Sequence, residues 1–157
     1  NINISGESFD YGPWRFLPVY DPAFVAAYFD DRGLYAFGRQ GEALRWNLER
    51  LAESLGALLE EERAQRALVA FQPTLYRRSH EAFLQRLGLV SQGAVSDALL
   101  VERTLCFLHD SGLPWDRLFF DWYGGGPSEA RARHSPEAAR YRGPRFDAWL
   151  QHLRGFV

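Results

Sequence analysis

The sequence predicts a mainly α-helical single domain, and three observations carry that prediction. Apolar residues recur at three- and four-residue spacing through most of the chain beyond residue 41. No stretch alternates apolar and polar residues regularly enough to propose a sheet. A content of 46% hydrophobic and 15% aromatic residues over 157 positions supplies the apolar surface for one core. Texture divides the chain near residue 41: residues 1–41 read as an irregular segment, and residues 42–157 as a helical bundle belonging to the same domain.

The irregular segment holds glycine at 6, 12, 33, 38 and 41 and proline at 13, 18 and 22, which interrupts any long element. Within it, Pro22 to Phe29 is expected to form one or two helical turns, with Asp21 as N-cap and Pro22 in the first helical position. From Glu42 to Leu59, Ala43, Leu44, Trp46, Leu48, Leu51, Leu55, Leu58 and Leu59 lay an apolar stripe along one helix face. A second helical stretch, about Glu60 to Leu87, opens with three glutamates that complement the helix dipole, and Pro73 is expected to break or kink it. A third, Ala94 to His109, turns Val95, Leu99, Leu100, Leu105, Cys106 and Leu108 inward and stops at Gly112-Leu113-Pro114. Trp115 to Pro127 reads as a turn-rich aromatic segment. The last helix, about Pro144 to Phe156, carries Phe146, Trp149, Leu150 and Leu153 at core spacing.

Charge and cysteine usage narrow the functional classes. A formal charge of -2 provides no broad cationic field, so neither nonspecific nucleic-acid binding nor attachment to an anionic membrane is expected. Cys106 is the sole cysteine, which excludes an intrachain disulfide, a Cys-rich zinc site and a CxxC redox pair, and fits a reducing cytoplasm. No run approaches the roughly 18 apolar residues of a membrane helix, and Asn1 to Asp10 has no secretory signature. Methionine is absent and all 18 basic residues are arginine. A fragment of a longer polypeptide is therefore expected, with the lysine of any kinase-type phosphate site supplied elsewhere.

Several groups invite a site reading that their spacing does not sustain. His80, His109, His134 and His152 contain no pair spaced three or four residues apart for a shared metal and read as surface or capping residues. Glu60, Glu61 and Glu62 are adjacent and point to different sides of a helix. Gly124-Gly125-Gly126 lacks the lysine of a phosphate loop and reads as a flexible turn. Arg131, Arg133, Arg140, Arg142 and Arg145 form the locally basic stretch; an exposed connection is expected, with an acidic substrate or ATP phosphates as the functional alternative. Trp115 to Tyr123 reads as core packing, and Cys106 as a small buried hydrophobe.

The segment that carries chemistry is the first one. Asp10-Tyr11-Gly12 lies nine residues after Asn1, the arrangement by which kinase-like folds grip magnesium with a carboxylate and an amide oxygen. Taken alone, the tripeptide equally suits a turn in which Asp10 is a capping residue.

The longer string decides between these. Gly6-Glu-Ser-Phe-Asp-Tyr-Gly-Pro-Trp-Arg-Phe-Leu-Pro18, followed by Tyr20-Asp-Pro22, resembles the selenoprotein O family. The resemblance continues through Gly33-Leu-Tyr-Ala-Phe-Gly-Arg-Gln40, Trp46-Asn-Leu48 and Leu51-Ala52, with Gly41 where the family usually has proline. It is specific to about residue 55 and loose beyond. It implies the helical C-terminal lobe of a protein-kinase-like, or pseudokinase, fold without its N-terminal lobe. It also implies transfer of AMP from ATP to hydroxyl side chains of protein substrates. Asn1 and Asp10 match the family's magnesium ligands and so its nucleotide-binding positions. Residues 1–41 become the metal-binding, activation-like segment. The implied catalytic base is an aspartate just before the residue matching Asn1, so no catalytic residue is assigned and the isolated chain is expected to be inactive. The family's cysteine- or selenocysteine-bearing tail has no counterpart in Arg154-Gly-Phe-Val157. A noncatalytic helical interaction module is the alternative, and a true phosphoryl-transferring kinase a third.

Overall fold

The structure is a computed structural model that describes residues 15–156. Among the described residues the architecture is helical: α1 (Gln40–Ser54), α2 (Glu61–Leu87), α3 (Ala94–Ser111), α4 (Trp115–Asp121), α5 (Glu129–Arg133) and α6 (Pro144–Leu153), with short 3-10 turns between them. The only extended pairing among these residues is an isolated bridge between Val19 and Pro114. The chain falls into two compact units: one contains Asp21–Tyr76, and the other Leu17–Tyr20 with the chain from Arg77 onward.

In the first unit, the expected helix over Pro22 to Phe29 is a single turn. Asp21 caps it as expected, its Oδ1 accepting from the Ala23 amide at 2.9 Å and its carbonyl from Phe24 at 3.2 Å. The turn does not propagate because its carbonyls are committed elsewhere: Pro22 accepts from the Gly38 amide at 2.8 Å and Phe24 from Phe37 at 2.9 Å. Without those acceptors the i→i+4 ladder has nothing to build on. Gly38 is required by this approach, since a Cβ there would lie 2.9 Å from the Pro22 Cβ.

Helix α1 ends at Ser54, five residues short of Leu59. Leu55 to Leu58 closes instead by tighter bonds, with the Gly56 amide donating to Glu53 at 3.2 Å and Leu58 to Leu55 at 2.8 Å. Glycine at 56 lowers the return on extending the helix. The apolar stripe also differs from expectation: no α1 residue is buried, and Leu44 and Trp46 remain 41% and 56% exposed. Within Asp21–Tyr76 the available partner is the first part of α2, where Leu75 reaches to within 3.2 Å of a Cβ built on Gly41 and leaves the Trp46 side in solvent.

Pro73 neither ends nor interrupts α2, which is helical from Glu61 to Leu87. Proline at 73 removes the donor to the carbonyl of Val69, a residue that is 65% exposed.

The second unit holds the core. Leu84 and Leu87 from α2, Leu100, Phe107 and Leu108 from α3, Leu118 from α4, and Phe146, Trp149 and Leu153 from α6 are buried together. Helices α3 and α6 form its centre, tied by Arg103 Nη1 donating to the Ala148 carbonyl at 2.9 Å. Phe107, Trp122, Phe146 and Trp149 make an aromatic cluster; the Trp122 and Trp149 rings meet edge-on at 5.1 Å.

The ends of α3 follow from sequence chemistry. Asp97 in its first turn reaches back to accept from the Gln92 amide at 2.9 Å and the Ser91 hydroxyl at 2.5 Å. Gly112 terminates the helix in the left-handed conformation, with φ 59°. Leu100 and Leu108 face inward as expected and Leu99, Leu105 and Cys106 are half-buried, but Val95 is 84% exposed because it lies on the outer side of the first turn. The segment after Pro114 is more ordered than its composition suggests. Trp115 to Asp121 is helix, and it buries Leu118 and Phe119 while exposing Phe120.

Candidate functional site

Asn1 and Asp10, with the string from Gly6 to Pro13, lie outside the described residues. Of the described segments that carry the family resemblance, Gly33 to Gln40 and Trp46-Asn47 converge. Asp30 organises the first of them, accepting from the amides of Leu34 at 2.9 Å and Tyr35 at 2.7 Å. The Tyr35 amide, with those of Leu34 and Arg32 and the charge of Arg39, holds the Asp30 carboxyl below its ordinary range against the opposing effect of desolvation. Gly33, at φ 63°, lets the chain reverse. Arg39 then ties the loop to α1, donating from Nη1 to the Gly33 carbonyl at 3.3 Å and from Nε to Glu42 at 3.0 Å.

Leu34, Tyr35, Arg39, Ala43, Trp46 and Asn47 consequently border one cavity of about 430 Å³. The turn at Gly33 and the start of α1 bring these sequence-separated residues to one place. Asn47 does not point its amide into free space, since Nδ2 donates to the Ala43 carbonyl at 2.9 Å. The lining is apolar and aromatic with one arginine–glutamate pair, which suits holding an apolar group and offers no nucleophile–base pair. Gly41, where the family usually has proline, occupies the first turn of α1, a position that proline also suits.

The other charged centre lies in the second unit. Asp121 is fully buried and receives Arg117 through Nη2 at 2.6 Å and Nε at 3.1 Å, and the Tyr141 hydroxyl at 2.6 Å. Burial pushes its carboxyl upward, but hydrogen bonds from Arg117, Ser135 and Tyr141 outweigh this and the net displacement is downward. Tyr141 moves the opposite way, raised by burial and by the Asp121 carboxylate. Glu81 and Glu129 are likewise held low by arginine hydrogen bonds. The clearly displaced carboxyls among the described residues thus all favour the charged form. Arginine hydrogen bonds contribute to this at Glu81, Asp121 and Glu129, and backbone amides at Asp30. The Tyr141–Asp121 pair carried no sequence signal, because twenty residues separate its members and only folding joins them.

Among the described residues no three His, Cys, Asp or Glu side chains gather into a metal site. Glu60, Glu61 and Glu62 are exposed at the start of α2. His134 Nδ1 lies 2.7 Å from the Ala130 carbonyl, and His152 Nε2 3.0 Å from that of Ser96. Gly124 and Gly125 adopt φ 91° and 70°, making a defined turn in which the Gly124 amide donates to the Leu87 carbonyl at 2.8 Å. Cys106 is half-buried and unpaired. Among the described residues no helix is long and apolar enough to cross a membrane.

Comparison with known proteins gives these local geometries a family. The sequence model described as "Protein adenylyltransferase SelO" matches residues 1–149. The chain is 36% identical over 121 residues, 77% of its length, to the protein nucleotidyltransferase YdiU of Trichormus variabilis. It is 34% identical over 155 residues, 98% of its length, to that of Pseudomonas fluorescens. A shorter stretch of 91 residues, 58% of the chain and 19% of the relative, is 44% identical to the Synechocystis protein of the same name. The chain spans 25% of the first of these relatives and 31% of the second. With the match running through the motif at Asp10, the resemblance segments around Gly33 and Trp46 and nearly all of the helical unit beyond, the chain belongs to the SelO family of protein adenylyltransferases.

Proposed function

We propose that this chain is part of a magnesium-dependent protein adenylyltransferase that transfers AMP from ATP to serine, threonine or tyrosine hydroxyls of other proteins. The observation that carries the reading is the family match over residues 1–149, which includes both Asn1 and Asp10. The chain would contribute the helical C-terminal lobe of a kinase-like fold; the helical character of the described residues supports the coarser part of that statement. Residues 1–41 would form the metal-binding segment of this lobe, and residues 42–157 its bundle.

Asp10 and Asn1 offer hard oxygen donors, a carboxylate and an amide carbonyl, which suit magnesium rather than a soft metal. Magnesium bound there would supply neutralising charge to the ATP phosphates. In the transfer, the acceptor hydroxyl oxygen bonds to the α-phosphorus, the bond from that phosphorus to the bridging oxygen breaks, pyrophosphate leaves, and the hydroxyl proton passes to a base. The isolated chain is expected to be inactive, since it has no lysine to pair with phosphate. A single cysteine and the charge of -2 fit a cytoplasmic protein without a nucleic-acid partner.

The second reading, a noncatalytic interaction module, is favoured by the exposure of Leu44, Trp46 and Leu58 in the first unit. Incubating the longer polypeptide with magnesium, a cell lysate and ATP labelled at either the α or the γ phosphorus separates the possibilities. Label from the α position on protein, lost in Asp10→Ala, is the expected result. Transfer from the γ position alone would make the protein a kinase, and no transfer from either would leave the interaction module.

A further inference from the structure

The second unit contains an open cleft of about 400 Å³ where the end of α3, the turn before α6 and the first residues of α6 meet. Three arginines, Arg140, Arg142 and Arg145, line it, and Asp110 is the single acidic residue doing so. Two of the three guanidiniums are held in place by protein groups. Arg145 Nε pairs with Asp110 at 2.6 Å, and Arg140 Nε pairs with Glu137 at 2.6 Å while its Nη1 donates to the Ser111 carbonyl at 2.6 Å. Each of those two thus contacts a carboxylate through Nε and retains further N–H donors. Arg142 is different: among the described residues its guanidinium has no ion pair and no side-chain hydrogen bond. Three positive groups against the carboxylates of Asp110 and Glu137 leave the cleft cationic, in a chain whose overall charge is -2.

We propose that this cleft binds a phosphate monoester. Two pre-positioned guanidiniums and one uncommitted one match the charge and the forked acceptor geometry of a phosphate better than those of a carboxylate. Helix α6 begins beside them without a side-chain cap, so its first-turn amides add to the positive field. Phe107, buried beneath the cleft, and Pro144 at its edge provide an apolar wall for the organic part of the ester. A volume of about 400 Å³ accommodates a mononucleotide or one phosphorylated side chain, and not a nucleic-acid duplex. The site shares no residue with Asn1 or Asp10. Its existence is therefore independent of the adenylyltransferase reading, and its test measures binding rather than transfer.

Calorimetric titration of the 157-residue chain at low salt, with AMP in one arm and an O-phosphoserine peptide in the other, tests the site. We expect one binding event per chain that is absent with the unphosphorylated peptide and weakened roughly tenfold by Arg142→Ala. Because Arg142 is exposed and its side chain makes no hydrogen bond or ion pair, that variant is expected to keep its fold, which circular dichroism checks. Arg133→Ala, removing an exposed arginine paired with Glu129 and absent from the cleft lining, leaves the affinity unchanged. Tighter binding of AMP identifies a free small-molecule ester as the ligand, and tighter binding of the peptide a phosphorylated protein segment. Absence of heat with both at millimolar concentration, or an affinity indifferent to Arg142→Ala, overturns the proposal.

Discussion

The indole Nε1 of Trp149 donates to the hydroxyl of Thr104 at 2.8 Å, and both side chains are fully buried. The same hydroxyl donates to the Leu100 carbonyl at 2.7 Å, so one oxygen joins α6 to the backbone of α3. Thr104→Val preserves shape and removes the acceptor. It is expected to cost about 1–3 kcal/mol, the desolvation penalty of an indole N–H left unpaired. Trp149→Phe removes that donor, so the double variant should lose less than the sum of the singles. Urea unfolding of all four proteins measures the coupling, and strict additivity would mean that the hydrogen bond contributes nothing.

Asp121 makes the second unit sensitive to acid. Its carboxyl lies below its ordinary value in the folded state, so it contributes stability that is fully present above the unfolded value of about 4 and is lost as pH falls through the folded value. Stability measured between pH 6 and acid conditions should therefore decline less steeply in Asp121→Asn, although that variant starts lower because Arg117 loses its charged partner. An unchanged slope would remove Asp121 from the acid response.

Pro73 should be a net cost to α2. Pro73→Ala restores an N–H for the Val69 carbonyl and relieves the ring's conflict with the preceding turn. Loss of proline's restraint on the unfolded chain opposes this by about 0.4–1 kcal/mol. The balance is a stabilisation of about 1–2 kcal/mol. Slower amide exchange in α2 of the variant is the expected observation.

Two truncations separate the stripe on α1 from the core. Leu108 is fully buried, and Leu108→Ala should cost about 2–5 kcal/mol through lost transfer energy and the cavity left behind. Trp46 is more than half exposed, so Trp46→Ala should cost under about 1 kcal/mol in this chain. Comparable costs, read from denaturant midpoints, would mean that the α1 stripe is buried in solution.

The existence of the helices was legible because three- and four-residue apolar spacing is a local signal, and the stop at Gly112 because only glycine takes a left-handed turn without strain. The family was legible in Gly6 to Pro18 with Tyr20-Asp-Pro22, continued at Gly33 to Gln40 and Trp46 to Leu48, and the expected metal residues Asn1 and Asp10 rest on that resemblance. Which apolar faces become core was not legible. Leu44 and Trp46 belong to the apolar set read on α1 as Phe146 and Trp149 belong to that on α6, yet the second pair is buried and the first is not, because burial depends on a partner that spacing does not specify. The element expected at Pro22 is held to a single turn by tertiary partners, the Pro22 and Phe24 carbonyls being taken by the Gly38 and Phe37 amides. Tertiary structure alone placed Tyr141 on Asp121 and brought Ser111 and Asp110 to Arg140 and Arg145. Sequence determines what each residue can do within a few positions of itself, whereas pairings across twenty or more residues exist only once chain entropy has been overcome by packing.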